Sequence, residues 1–232
     1  MDNNIYAVSY KMRKELYSRI FSVSGIVILV VLAVSLFMTF VLYPVYSKSD
    51  SMASDIPANS LEFVTPLFTS PSRGDVVLVQ NYEHEKIPLP KKIINNICLF
   101  FTARQWAPFK SNAGEGSKPV MRRVIGLPGD TIYIDRYVVF IKSKTNSHFL
   151  TEFEVIKKKY NVEILVPPAG WDVELGAKSS VKKITLADDE YFLLGDKRIS
   201  AMDSRVWGPV KHSKIKGKVL MLYFPFSKFR IF

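Results

Sequence analysis

The chain is poor in the residues that build disulfide-held or metal-held scaffolds. Cys98 is its single cysteine, so an intrachain disulfide is impossible. The three histidines, His84, His148 and His212, are scattered, and none has a partner at the spacing of a metal-ligand pair. These two shortages exclude a disulfide-rich secreted fold, and we expect no bound metal.

Charge is missing from one long segment, because residues 20–47 contain no Asp, Glu, Lys or Arg. As a helix at 1.5 Å per residue, residues 20–42 would measure about 34 Å, enough to cross a hydrocarbon core of about 30 Å. A cleaved signal peptide is the alternative, but its apolar region is shorter, and residues 43–46 lack the small side chains of a cleavage site. We therefore expect a retained transmembrane anchor over residues 20–43.

The segment before this anchor is cationic, which predicts how the chain is oriented. Its four basic side chains outnumber its two acidic ones, and they are Lys11, Arg13, Lys14 and Arg19. The positive-inside rule assigns such a segment to the cytoplasm. We expect residues 1–19 to be cytoplasmic and residues 44–232 to lie outside.

Positive charge also dominates the part of the chain after the anchor. Residues 48–232 hold 28 of the 32 Lys and Arg and 19 of the 21 Asp and Glu, a net charge of +9. Nucleic acid is one partner for a basic domain, and a solvated surface with no specific partner is another interpretation. For a domain held at a bilayer we expect anionic membrane lipids and no nucleic acid. The oligomeric state stays open.

The remaining apolar runs are short and rich in Val, Ile, Tyr and Phe, with turn residues between them, which predicts strands. The candidate strands are residues 75–80, 120–125, 131–134, 137–142, 190–194 and 216–224. We expect a mostly β fold with a hairpin over 131–142. Two stretches resemble insertions, residues 81–118 and 143–188, and the first has helical periodicity over 91–106.

Four short segments carry the functional information. In one-letter code they are SDSM at 49–52, RGDVV at 73–77, RRVIGLPGD at 122–130, and GDKR at 195–198 followed by DSRVWG at 203–208. Each is weak alone, since Leu-Pro-Gly-Asp is simply a good tight turn. In this order, behind one N-terminal anchor, they resemble the motifs of bacterial type I signal peptidases. These are membrane-anchored serine endopeptidases that remove signal peptides from exported proteins.

The resemblance implies a fold and a mechanism. The fold would be a signal peptidase I-like antiparallel β catalytic domain with inserted segments. Ser51 would be the nucleophile, activated by a lysine that an apolar environment keeps neutral, with no metal or organic cofactor. The Ser49 hydroxyl and the Ser51 backbone N–H would stabilise the tetrahedral oxyanion.

The sequence departs from the family at the position of the general base. Counting back from Gly126, the family's lysine falls on Arg122. Lowering the pKa of an arginine from about 13 to about 8, where it could act as a base, costs about 7 kcal/mol. The same change in a lysine, whose ordinary pKa is lower, costs only about 3 kcal/mol. Arg122 is therefore a poor neutral base, although it can donate hydrogen bonds to an oxyanion or a carbonyl.

Two further departures surround this one. Ala201 stands where the family has a serine that hydrogen-bonds the lysine, and Asp55 places an acidic residue near the nucleophile. The possible replacement bases are Lys118, Lys48 and the histidines, and Ser200 is a possible replacement hydroxyl. Lys118 would lie about 13 Å along the strand from Arg122, beyond useful reach.

The other matching residues are predicted to support the site or to bind substrate. An ion-pair network is expected among Asp196, Arg198, Asp203 and Arg205. By resemblance, an extended substrate with an Ala-x-Ala pattern would lie along Pro119, Val120 and Met121. The aromatic and cationic tail 224–232 is either an interfacial segment or a buried closing strand.

Together these observations predict a single-pass protein of the bacterial cytoplasmic membrane that cleaves signal peptides of exported preproteins. The alternative is a catalytically impaired paralogue that keeps the fold and acts as a signal-peptide-binding or scaffolding subunit. Arg122 and Ala201 favour the alternative. Ser51, Ser49 and the last motif favour the enzyme.

Overall fold

The structure is a computed structural model that describes residues 3–68, 70–80, 119–164 and 178–232, with isolated positions between 88 and 109. Its first element is helix α1, Asn3–Phe40, 38 residues long or roughly 57 Å. Within α1, Met12–Val34 is long and apolar enough to cross a membrane, and none of its surface is buried. The helix ends at Phe40, and Tyr43, which we expected inside the anchor, begins the first strand with a buried ring.

The described residues form twelve strands in two antiparallel sheets. Along the chain they are β1 Tyr43–Ser47, β2 Ser60–Thr65, β3 Val76–Val79, β4 Val120–Gly126, β5 Thr131–Asp135, β6 Val138–Lys142, β7 Leu150–Thr151, β8 Val181–Thr185, β9 Glu190–Leu194, β10 Val210–Lys211, β11 Ile215–Phe224 and β12 Arg230–Ile231. The large sheet has the order β1-β2-β11-β3-β4-β9-β10, with β12 beside β11, and the small sheet has the order β7-β6-β5-β8.

The mostly β prediction is confirmed, and each of the six predicted strands overlaps an observed one. The predicted hairpin over 131–142 is present as β5–β6, and it turns through Arg136 and Tyr137, both with positive φ. The other six strands were not predicted, and they are β1, β2, β7, β8, β10 and β12. Because Tyr43–Ser47 follows directly on the apolar segment, its strand character was hidden by the anchor.

The described residues also form two short α-helices of four residues each. Helix α2, Glu152–Val155, follows β7, and helix α3, Ser204–Trp207, lies within the last motif. Both α2 and strand β8 fall inside the predicted insertion 143–188. Part of that stretch therefore belongs to the fold, because β8 pairs with β5 and Ile156 and Tyr160 pack in the core.

The other predicted insertion, 81–118, lies mostly outside the described residues. Within it, Pro90, Lys91, Ile94, Asn95 and Cys98 are helical. Of the predicted 91–106 helix, Thr102 lies in a turn and Trp106 has no regular structure, and the remaining residues lie outside the described part of the chain. The exposed fraction of Ile94 is 46%, so this side chain is not buried against the sheet.

A tight turn between β4 and β5 fixes how the two sheets meet. Residues 127–130 form the turn, with Gly129 at φ +82° and a hydrogen bond from Asp130 N to Leu127 O of 3.0 Å. Asp130 also accepts a hydrogen bond from Leu127 N and pairs with Arg73 over 2.7 Å. The Leu-Pro-Gly-Asp motif therefore has a structural role here, and β4 lies beside β3 and β9 in the large sheet.

Candidate active site

Ser51 lies in a tight turn after β1 and is 5% exposed. The turn is held from within by hydrogen bonds from Asp55 N and Ile56 N to Met52 O, while Met52 and Ile56 pack in the core. The Ser51 carbonyl accepts a hydrogen bond from Lys197 N over 3.0 Å, which joins the turn that carries Ser51 to the last motif.

Gly195 is what allows this close approach. A Cβ at this position would lie 3.0 Å from Ser51 O and 2.3 Å from the Cβ of Ala201. A side chain would therefore push the two segments apart, so the glycine sets the distance between Ser51 and the loop that faces it.

Ser49 contacts Ser51 in two ways. Its hydroxyl donates to Ser51 Oγ over 2.9 Å and accepts from Ser51 N over 3.2 Å. The hydroxyl and the backbone N–H that we expected to stabilise an oxyanion are therefore adjacent to one another and to the proposed nucleophile.

Arg122 reaches Ser51 from β4. Its Nη1 donates to Ser51 Oγ over 2.8 Å and also donates to Met121 O, while Nε and Nη2 donate to Met202 O over 2.9 and 2.7 Å. The guanidinium also stacks near the ring of Trp207, 5.7 Å from its centroid. The side chain at the family's base position is thus in direct contact with the proposed nucleophile.

The charge of Arg122 is poorly compensated. Among the described residues, no carboxylate lies within salt-bridge distance of its guanidinium, although the side chain is only 3% exposed. Burial lowers the pKa of Arg122 to about 10, and the charge of Asp203, partly offset by that of Arg205, opposes this. Arg122 is therefore cationic at neutral pH but holds its proton less tightly than an ordinary arginine does.

Its neighbour Arg123 points to the opposite face of β4, as successive residues of a strand do. It binds both oxygens of Asp196 over 2.8 and 2.6 Å, Asp55 over 2.6 Å and Gly74 O over 2.9 Å. Burial lowers the pKa of Arg123, but hydrogen bonds and charge from Asp196 and Asp55 raise it by more. Asp55, which also pairs with Arg230, is therefore neutralised and not a free negative charge beside Ser51.

The four residues that we expected to form one network belong to three separate ion pairs. Asp203 and Arg205 pair with each other through two hydrogen bonds of 2.8 and 2.7 Å. Asp196 pairs with Arg123, and Arg198 pairs with Glu152 over 2.6 Å. The predicted network is therefore wrong in its connections, because it omitted partners from β4 and from the stretch we interpreted as an insertion.

Comparison with known proteins identifies the family of this chain. The family model described as signal peptidase, peptidase S26, matches residues 20–224 of this chain. The chain belongs to the S26 signal peptidases.

Several curated relatives carry signal peptidase names. Signal peptidase I of Bacillus caldolyticus is 33% identical over 47% of this chain and 56% of its own length. Signal peptidase I of Leptolyngbya laminosa is 25% identical over 86% of this chain and 76% of its own length. Signal peptidase I of Streptococcus pneumoniae strain R6 is 27% identical over 51% of this chain and 67% of its own length. The matched part thus spans from about half to three quarters of these relatives.

The S26 family uses a general base beside the serine, so the possible replacement bases matter. In the described part of the chain, none of them contacts Ser51. Lys48 is exposed and lies over the ring of Tyr46, 5.8 Å from its centroid. His148 is exposed, and His212 packs against Phe68 and Tyr191. Lys118 and His84 lie outside the described residues.

At the position of the S26 serine, the structure places the buried Ala201, while the hydroxyl-bearing Ser200 is exposed. The next residue, Met202, supplies the carbonyl that accepts from Arg122. The Arg122 side chain is therefore oriented by the backbone oxygen of Met202. This oxygen belongs to the same loop in which the family has its serine hydroxyl.

The predicted substrate strand coincides with an open edge. Val120, Met121 and Arg122 pair with β3, but the pairing of β4 with β9 begins only at Arg123. On the β9 side, residues 120–122 have no strand partner in the described part of the chain. This edge ends at Arg122, whose guanidinium contacts Ser51.

Three residues near the site carried no role in the sequence analysis, namely Arg123, Glu152 and Tyr160, and Asp55 was noted there only as an acidic residue near the nucleophile. Tyr160 donates to Glu152 over 2.7 Å, and its ring lies 4.3 Å below the Arg123 guanidinium. Adjacent arginines at 122 and 123 were a usable signal, since a strand must direct them to opposite faces. Glu152 and Tyr160 had no signal, because the contact of Glu152 with Arg198 and that of Tyr160 with Arg123 depend on the tertiary fold.

Proposed function

We propose that this protein is a membrane-bound serine endopeptidase that cleaves N-terminal signal peptides from exported preproteins. The observation that carries the proposal is the contact of Ser51 Oγ with both Arg122 Nη1 and Ser49 Oγ, at 2.8 and 2.9 Å, in a chain of the S26 family. The signal peptidase names of the curated relatives support it.

The substrate would bind as an extended strand along Pro119, Val120 and Met121. Main-chain hydrogen bonds to an open strand edge are a common way to hold a peptide. The exposed Pro119, which cannot donate a hydrogen bond, lies at the outer end of this edge. A peptide held there would extend toward Arg122 and Ser51.

In the reaction, Ser51 Oγ forms a bond to the scissile carbonyl carbon, and its proton passes to the base and then to the departing amine. The peptide C–N bond breaks, and water hydrolyses the resulting ester. Ser49 and the Ser51 N–H, which now contact one another, would turn toward the oxyanion.

Neutral Arg122 would be the base, since among the described contacts it is the basic side chain that touches Ser51 Oγ. With its pKa lowered to about 10, roughly one molecule in a thousand carries the neutral form at pH 7. Cleavage at neutral pH would accordingly be slow.

One observation favours a second function, a signal-peptide-binding or scaffolding subunit with impaired catalysis. The guanidinium of Arg122 is a hydrogen-bond donor at every atom that contacts the protein, and it occupies the place of the proton acceptor. Under this alternative the β4 edge would bind signal peptides without cutting them.

The membrane-related expectations remain part of this proposal. Helix α1 would anchor the chain with residues 1–19 in the cytoplasm and residues 44–232 outside, in a bacterial cytoplasmic membrane. The tail offers Phe226, Phe229 and Ile231, exposed at 78%, 57% and 73%, to anionic lipids, although β12 pairs with β11 and Phe232 packs on the core. Membrane-impermeant thiol reagents on intact cells should label a cysteine placed at 147 and miss one placed at 3.

Incubating the purified full-length protein, in detergent, with a labelled preprotein tests the enzymatic proposal. We expect a single cut after the signal sequence, identified by N-terminal sequencing, and no cut with Ser51→Ala. Binding of the preprotein without any cut at any pH would instead support the scaffolding function.

A further inference from the structure

We propose that Arg122 and Ser51 form a binding site for a carboxylate, and that its occupant is the free C-terminal carboxylate of a cleaved signal peptide. The inference rests on the proposed function for the identity of the peptide. It assigns to the same site a second property, retention of the product and inhibition by it.

The first observation is that Arg122 is a buried cation without a counter-ion. The other buried arginines in the described part of the chain each contact a carboxylate at 2.6 to 2.7 Å: Arg123 with Asp196, Arg198 with Glu152, and Arg205 with Asp203. Burying an unpaired charge is costly, and an anion that enters the site removes much of that cost. Arg122 is thus the place in this cluster where an added negative charge is most favourable.

The second observation is the set of acceptors that Arg122 uses. All of its recorded acceptors are neutral oxygens, namely Ser51 Oγ, Met121 O and Met202 O. The contacts use four of the five guanidinium N–H groups, so one Nη2 hydrogen has no recorded acceptor. A carboxylate can take this hydrogen, or displace the bond to Ser51, and gain a charge-assisted hydrogen bond.

Ser51 supplies the second half of the site. Its Oγ accepts from both Arg122 and Ser49, so the hydroxyl hydrogen is left to donate, and no described residue is recorded as accepting it. A carboxylate beside Ser51 therefore meets a hydroxyl donor and a cation together. A neutral amide or an intact peptide carbonyl gains the hydrogen bonds but not the charge pairing.

Neighbouring charges do not already fill this role. Asp50, the carboxylate adjacent in sequence, pairs with Lys197 over 2.6 Å at an exposed position. Lys197 holds the pKa of Asp50 below its ordinary value through this hydrogen bond. Asp203 acts on Arg122 at longer range and is itself bound to Arg205 by two hydrogen bonds.

The site lies at one end of the open β4 edge, so it would contact one end of a peptide bound along that edge. The open edge of β4 at Val120–Met121 leads directly to Arg122, so a peptide that runs parallel to β4 along it would reach Ser51 with its C-terminal end. After cleavage, that end is a carboxylate. A product with a free carboxylate should therefore bind more tightly than the same peptide ending in an amide.

Fluorescence anisotropy with the full-length protein in detergent at pH 7 tests the inference. Two labelled nine-residue peptides serve as probes. They share one sequence ending in Ala-Lys-Ala, and one is the free acid while the other is the C-terminal amide. We expect the acid to bind at least about tenfold more tightly than the amide, and Arg122→Gln to reduce this ratio to below about twofold. Lys182→Gln, which removes one charge from an exposed position of β8, should leave the ratio unchanged.

Detectable binding of the amide peptide by Arg122→Gln is the control for folding, since the β4 edge at Val120–Met121 is unchanged in this variant. The comparison of acid with amide on the wild-type protein needs no variant. Equal binding of the two peptides, no binding of either, or a preference that survives in Arg122→Gln would overturn the inference.

Acetate separates a peptide site from a general anion site. Displacement of the acid peptide by millimolar acetate as effectively as by unlabelled acid peptide would overturn the assignment to the product. The preprotein assay separates this inference from the proposed function. Cleavage with equal acid and amide binding removes the inference alone, and a strong acid preference without cleavage removes the enzymatic proposal alone.

Discussion

Arg122 Nη1 donates a hydrogen bond to Ser51 Oγ across 2.8 Å, so a guanidinium directly contacts the hydroxyl that we propose as nucleophile. The next residue, Arg123, is equally buried but is paired with two carboxylates on the opposite face of β4. Two adjacent arginines therefore have different chemistry. Arg123 holds the fold behind the site, and Arg122 keeps an uncompensated charge inside it.

Ser49 should act on the transition state. Replacing it with alanine removes the hydroxyl that contacts Ser51 Oγ and Ser51 N, so we expect kcat to fall by about 10²–10³ with little change in KM. Ser47→Ala is the matched control and should stay near the wild-type rate, because the exposed Ser47 hydroxyl donates to Ser49 O and has no other partner among the described residues. A loss of less than threefold in Ser49→Ala would remove Ser49 from the oxyanion site.

Arg123 should matter for stability. Arg123→Met leaves the buried Asp196 and Asp55 without their shared partner, which costs about 3–5 kcal/mol and lowers Tm on the order of 10 °C. Arg136→Met removes an arginine that is 87% exposed and should leave Tm nearly unchanged. Thermal unfolding in detergent measures both, and equal Tm values for the two variants would contradict this role.

The pH dependence follows from the lowered pKa of Arg122. If the neutral guanidine is the base, its fraction rises tenfold with each pH unit until the pKa of about 10 is reached. We expect single-turnover cleavage to accelerate about tenfold per unit between pH 7 and 9. Ser51→Ala, measured in parallel, excludes hydrolysis by hydroxide. A rate that is flat over this range would exclude Arg122 as the base.

Glu62 should make stability depend on pH in the opposite sense to an ordinary surface carboxylate. Burial raises its pKa from 4.5 to about 7, against a smaller opposite effect of the Ser60 hydroxyl, and Oε2 has no recorded partner. Between pH 4.5 and 7 the folded chain binds the proton more strongly than the unfolded chain, so this contribution to stability is lost as pH rises. We expect Glu62→Gln to equal wild type near pH 4.5 and to exceed it by up to about 3 kcal/mol at pH 8.

The measurement for Glu62 is Tm in detergent at several pH values. Asp188→Asn is the control, because this carboxylate is 97% exposed and should show no such trend. A Glu62→Gln protein that is less stable than wild type at pH 8 would contradict the account.

The sequence predicted the parts of the site that depend on local pattern. Ser49, Ser51 and Arg122 were identified from short motifs, and the structure brings all three within hydrogen-bond distance. Six strands were visible from their composition, because Val, Ile and aromatic runs between turns leave few alternatives. Apart from the predicted hairpin over 131–142, their antiparallel arrangement followed only as an implication of the family.

What the sequence could not predict depends on contacts between distant segments. Arg198 pairs with Glu152 across 46 residues, and Arg123 pairs with Asp196 across 73. No periodicity connects such positions, so the ion pairs were assigned to the nearest charged residues instead. Strand β1 was missed for a different reason, since the apolar anchor and the strand are continuous in composition.

The central claim is that Arg122 limits catalysis because it occupies the place of a base that sheds its proton more easily. The most direct test is the rate of preprotein cleavage at pH 7 by wild type, Arg122→Lys, Ala201→Ser and the double variant. A lysine loses its proton at lower cost than an arginine, and a hydroxyl at 201 would help to orient it. We expect Arg122→Lys to raise the rate, and the double variant to exceed the combined effect of the single changes, since the two groups act as a unit. A fully active wild type, with Arg122→Lys neutral or slower, would contradict the account.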